Sequence, residues 1–150
     1  ASIRASLIHF VFVTSSTPAR ERSRDIDPGL NAYMVALVAW LVPGAAHLWL
    51  GQTRKAVIFF VVLTGMFAVG LVFGGRLFPF QVSDPLVFLA AAAEWGQAVP
   101  RIVAGIAGAG QGDVVAATYE YGNTFLMVSG LLNMLVVLNA ADVAAGRRPR

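Results

Sequence analysis

AVIFFVVLTGMFAVGLVF, from Ala56 to Phe73, runs for 18 residues without a charge. A helix built from it would be apolar on every side, so no face could meet water. Wound at about 1.5 Å per residue it covers roughly 27 Å, close to the hydrocarbon thickness of a bilayer. The stretch reads as a transmembrane helix, and the rest of the chain is organised around it.

Upstream, Gly51-Gln-Thr-Arg-Lys55 is a short polar connection with two cations. Before it, LNAYMVALVAWLVPGAAHLWL (Leu30 to Leu50) carries no fixed charge and has Tyr33 and Trp49 near its ends, where amphipathic aromatics favour the headgroup level. So short a link predicts an antiparallel hairpin. Pro43 cannot donate to the carbonyl of Ala39 and its ring crowds that turn. The first span should therefore kink there, or end and restart as a short interfacial turn. Gly51 suits a helix C-terminus. Downstream, GNTFLMVSGLLNMLVVLNAA (Gly122 to Ala141) is a third uncharged stretch, with Tyr119 and Tyr121 at its entry.

Residues 77–120 are more polar. Asp84-Pro85 is a strong helix start, an N-cap followed by proline at the first helical position. Glu94, Gln97 and Arg101 fall at i, i+3 and i+7, and would share a polar face on one helix. Pro100 argues against one helix through all three. Glu94 and Arg101 would each be costly at the bilayer centre, so one or two short interfacial or re-entrant helices are expected in 85–110. Residues 1–29 hold an apolar run, Leu7 to Val13, and a charge-rich stretch from Arg20 to Asp27. The run is short for a signal peptide and no Ala-x-Ala site follows. A poorly ordered or accessory extension is expected there.

The fold class expected is all-α: an integral membrane helical bundle of about three transmembrane helices. One domain, 30–148, holds spans at about 30–50, 56–73 and 122–141. Composition agrees. Of 150 residues, 57% are hydrophobic and 13% charged, against about 25% charged in soluble domains. The net charge of +3 comes from basic residues that flank the apolar stretches, as cytoplasmic loops do, so nucleic acid is not expected as a partner. Counted without the N-terminal extension, the basic flanks place the Arg54-Lys55 loop and the C-terminus on the cytoplasmic side. With no cysteine, disulfides and thiolate sites are excluded.

The segment Ala39 to Gly51, AWLVPGAAHLWLG, followed by Arg54-Lys55 and an apolar span, resembles the hairpin of the two-transmembrane-helix domain family. There a Pro-Gly-x-Gly-His-x-aromatic-x-Gly stretch closes the first helix. Over roughly 30–148 the chain is also similar to a family of uncharacterised bacterial membrane proteins, defined as a domain of unknown function. In that family the hairpin is paired with a C-terminal span, here Tyr119-Glu120-Tyr-Gly122-Asn-Thr-Phe125-Leu126, Gly130-Leu-Leu-Asn133 and Val137-Leu-Asn139-Ala140. Ala46 stands where the pattern has Gly, and Asn139 where an acidic residue is common. The resemblance implies the bacterial cytoplasmic membrane and no assigned activity.

The motif residues are Pro43, Gly44, His47, Trp49, Gly51, Glu120, Gly122 and Asn133, and each has a structural reading. His47 would bond carbonyls freed by Pro43. Glu120 would sit on the positive end of the third span. Ser129 and Asn133 share a helix face, and Asn133 should turn from lipid toward the broken first span, where its amide can reach the carbonyl that Pro43 leaves without a donor. An alternative is that Asn133 faces a partner. Gly70-Leu-Val-Phe-Gly74 matches a close-packing GxxxG pattern, although helix termination explains it equally well. Gly105 to Gly112 lacks the lysine and hydroxyl of a phosphate loop. No catalytic, cofactor or metal site is expected. Two functions remain: a non-enzymatic scaffold or accessory subunit packing against partner helices, or a small oligomeric transporter or membrane enzyme using His47 and the acids of 77–120. Convergence of His47, Glu94 and Glu120 on a cavity would favour the second. The expected partners are the lipid bilayer and either a second copy or a membrane complex.

Overall fold

The computed structural model describes residues 28–147. The expectation for 1–29 falls almost entirely outside these. Six helices follow in order: α1 (Pro28–Leu41), α2 (Ala45–Trp49), α3 (Thr53–Val72), α4 (Pro85–Glu94), α5 (Ala98–Ile106) and α6 (Tyr119–Ala144). Two of them, α3 and α6, are long and apolar enough to cross a membrane. The pair α4 and α5 qualifies as a third if counted as one span bent by 104°.

The expected spans at 56–73 and 122–141 correspond to α3 and α6. The expected span at 30–50 is not one helix. It stops at Leu41 and restarts at Ala45, so α1 alone rises only about 21 Å. Pro43 supplies the stop, and Gly44 turns the chain with φ +80°. Gly44 has a second role here. A Cβ on it would collide with the Ala56 carbonyl, so only glycine lets the turn lie on the first coil of α3. Gly51, at φ +77° with open space around it, serves the backbone alone: the Gln52 amide returns to the His47 carbonyl at 2.8 Å and closes α2.

Helix α6 is the central element. It runs antiparallel to α3: Gly70 lies against Gly122 and Leu126 at one end, while Phe59 and Leu63 share a groove with Val136 and Asn139 toward the other. On another side Val35 and Ala39 of α1 and Ala46 of α2 form a core cluster with Val137 and Ala140. The α4–α5 break meets α6 at Gly130, where a Cβ would collide with the Ala93 carbonyl. A Cβ at Gly122 would lie 2.6 Å from the Gly75 amide nitrogen and 2.8 Å from the Gly70 carbonyl oxygen. Lipid tails are as apolar as leucine, so helices in a bilayer gain little from burying oil. They gain from close backbone approach, which small residues allow. Gly70 therefore packs helices together, while Gly74, at φ +82°, ends α3.

The connection after α3 folds back on itself. The Leu77 amide donates to the Gly110 carbonyl at 2.8 Å, and the Asp113 amide to Gly74 at 2.9 Å. The Thr118 hydroxyl donates to the Phe73 carbonyl at 2.9 Å. These bonds hold the end of α3 beside the start of α6. Asp84 caps α4 as its sequence requires, accepting from the amides of Leu86 (3.0 Å) and Val87 (3.3 Å).

Two glycine substitutions separate packing from backbone freedom. Gly130→Ala should force α4 off α6 and destabilise the protein by about 1–3 kcal/mol. Gly65→Ala, in open space on α3, should be neutral or stabilise by up to about 1 kcal/mol. Unfolding in mixed detergent micelles, followed by helical circular dichroism, measures both.

Candidate functional site

Two helix interruptions converge on Asn133, which is fully buried. Its Nδ2 donates to the carbonyl of Ala39 at 3.2 Å and to that of Gly96 at 2.7 Å. The first acceptor is the carbonyl that Pro43 deprives of its helical donor. The second belongs to the break between α4 and α5. One primary amide has two N–H groups, and here each covers an exposed backbone acceptor. The neighbouring carbonyl in the same break, Trp95, accepts from Trp40 Nε1 at 2.7 Å. Tryptophan tolerates burial when its one donor is used, so Trp40 joins α1 to the break.

The break itself carries an ion pair. Glu94 Oε2 accepts from Arg101 Nη1, and from the Phe78 amide at 3.0 Å. Arg101 Nη2 donates in turn to the Phe78 carbonyl. The pair thus grips both backbone polar groups of one residue in the irregular approach to α4. The Arg101 guanidinium also lies over the Trp95 ring, 5.3 Å from its centroid. Seven residues apart on a straight helix, Glu94 and Arg101 would be separated by about 10 Å of rise. The 104° bend brings them together. Gln97, between them, donates from Nε2 to the Leu63 carbonyl of α3 at 3.2 Å. Glu94, Gln97 and Arg101 thus do not form an exposed polar face; they are turned inward.

His47 is fully buried but does not serve the carbonyls freed by Pro43. Its Nε2 lies 3.3 Å from Asn139 Oδ1, and its ring meets Phe59 edge-on with centroids 5.0 Å apart. The reason is position: α2 starts beyond the Pro43 turn, so His47 reaches α6 about two turns past Asn133, which already holds the Ala39 carbonyl. Glu120 is exposed in the first turn of α6. Trp49 is exposed at the end of α2, and Pro43, Gly44 and Gly122 are buried at contacts between elements.

His47, Glu94 and Glu120 do not converge. Asn139, the partner of His47, and Glu120 lie 19 residues apart on α6, about 29 Å along its axis. Glu94 is engaged by Arg101 and Phe78. Among the described residues no three His, Cys, Asp or Glu side chains gather as a metal group would. Several residues that make these contacts were not singled out from sequence: Trp40, Trp95 and Gly96, and, toward the end of α3, Asn123, whose Oδ1 accepts from the Arg76 amide at 2.8 Å. Their signal is faint, a small or polar residue inside or beside an apolar run.

Asn133→Leu orphans two buried carbonyls. At about 0.6 kcal/mol per interhelical bond, with a ceiling near 1.7, the monomer should lose about 1–2 kcal/mol in detergent unfolding. Trp40 and Trp95 fluorescence should shift to the red below the main transition. Unchanged monomer stability with lost self-association would assign Asn133 to a partner instead. Arg101→Met leaves the Glu94 carboxylate buried without a counter-charge and should cost about 3–5 kcal/mol. Adding Glu94→Gln should restore most of that loss in the same assay.

No curated protein and no solved structure matches the chain. A family model described as a family of unknown function (DUF6677) matches residues 34–149, and with that coverage of an all-helical, membrane-suited chain the protein belongs to that family.

Proposed function

We propose that the chain is an integral membrane protein of the bacterial cytoplasmic membrane, with residues 30–148 as a single transmembrane domain that acts as a non-enzymatic scaffold or accessory subunit. The observation that carries this reading is how the buried polar groups are used. Asn133, Trp40, Gln97 and the Glu94–Arg101 pair each hold a carbonyl, an amide or one another. A reaction centre needs a nucleophile, an acid or base and a place for substrate within reach of each other. His47, Glu94 and Glu120 are dispersed, which removes the main support for a transporter or membrane enzyme. The likeness of the Pro43–Gly51 stretch to the two-transmembrane-helix hairpin fits a packing role, since its glycines lie at a turn and its histidine at a helix contact.

The outward faces of α3 and α6 supply surface for a partner helix or a second copy. Ile58, Val61, Leu131 and Leu135 are all large, apolar and exposed. In-cell photo-crosslinking from Val61 or Leu135 tests the reading. A protein adduct of one defined mass from at least one position, its partner being either another membrane protein or this chain, is the expected result. Lipid adducts alone from every outward position would overturn it.

A further inference from the structure

We infer that the hairpin formed by α2 and the start of α3 is a binding site for an anionic phospholipid, one acyl chain lying in an apolar groove and the phosphate held by Arg54 and Lys55. The groove has a volume of about 220 Å³ and is lined by Val42, Pro43, Ala45, Leu48, Val57 and Phe60. It exists because the Pro43–Gly44 turn folds α2 away from the line of α1 and onto α3. The missing Cβ of Gly44 sets how close the two elements come. Almost no polar surface lines it, so its occupant is a hydrocarbon chain and not a polar solute.

Charge identifies which lipid. Arg54 and Lys55 are exposed and directly precede Ala56 and Val57 at the groove wall. Among the described residues neither has a carboxylate partner; the one acid near this end, Asp142, lies 3.4 Å from Arg147. No side chain caps the start of α3, so the positive end of its dipole adds to the same field. The opposite end of the α3–α6 pair differs: Asp113 lies against Gly74 there and Glu120 stands in the first turn of α6. Trp49, 62% exposed at the end of α2, stands where an indole prefers the headgroup layer. Basic pockets between helices at a membrane surface recognise anionic headgroups. The inference needs the hairpin to lie in a bilayer, but it does not depend on the scaffold reading, and its outcome leaves the crosslinking result unaffected.

Native mass spectrometry of the full chain released from nanodiscs tests it, with discs of phosphatidylcholine alone or mixed with phosphatidylglycerol. The wild type should retain phosphatidylglycerol in preference to phosphatidylcholine. The double variant Arg54→Ala/Lys55→Ala, altered only at exposed positions, should lose about tenfold or more of that preference. Raising salt during release should weaken the preference of the wild type but not that of the variant. Val57→Trp, which fills the groove from its rim, should reduce retention of both lipids; Leu48→Trp serves the same purpose if the first variant does not fold. Equal retention of the two lipids by the wild type, or full preference in the double variant, would overturn the inference.

Discussion

A backbone carbonyl inside a membrane must find a donor, because no water is there to supply one. The first apolar segment contains Pro43, which removes a donor, and the segment between α3 and α6 contains a sharp helix break, which exposes more acceptors. Both defects are placed against the same side of α6, and the amide of Asn133 serves one carbonyl from each. The arrangement is mutually dependent. Without the breaks, Asn133 would be a buried amide with nothing to bond. Without Asn133, two interruptions of the backbone would stand unsatisfied in the core.

Close approach is the second requirement, and glycine meets it. Gly130 admits the α4–α5 break to the surface of α6, Gly122 admits the end of α3, and Gly44 admits the first turn of α3 to the Pro43 bend. Two of the three contacts lie beside polar joints. The Gly130 contact brings Gly96 within reach of Asn133, and the Gly122 contact adjoins Asn123, which holds the Arg76 amide. Hydrogen bonds of this kind contribute modestly in a membrane because the unfolded helices also find partners. Their main effect is to select one register, since a shift of one turn would leave every joint unmade.

The Glu94–Arg101 pair belongs to the same logic. A buried ion pair is weak as a source of stability but strict as a positional constraint. Its two members grip the amide and carbonyl of Phe78, fixing the irregular approach to α4 against α5. This accounts for charges that would be expensive in lipid without assigning them chemistry. At the other end Arg54 and Lys55 are exposed and have no carboxylate partner among the described residues, so the internal charges hold the fold and the exposed ones do not.

Local properties made much of the architecture legible in the sequence. Uncharged, largely apolar runs over 56–73 and 122–141 demand helices of membrane length, Asp84-Pro85 demands a helix start, and Pro43-Gly44 demands a stop. The link between Asn133 and the Ala39 carbonyl could be read as well, because one residue lacks a donor and the other carries a donor that lipid cannot satisfy. Other features depend on contacts between distant segments. Nothing local says that Gly96 meets Gly130, that Trp40 reaches the Trp95 carbonyl, or that His47 stops beside Asn139 and not at the freed carbonyls. Glu94 and Arg101 were visible as members of one polar face, but their meeting as an ion pair required a bend of 104° between α4 and α5. Composition and periodicity thus determined that the chain is helical and suited to lipid, because those properties belong to each segment alone. Only the tertiary structure decided which defect each polar group repairs, because a hydrogen bond in a membrane depends on which carbonyl another helix brings within about 3 Å of it.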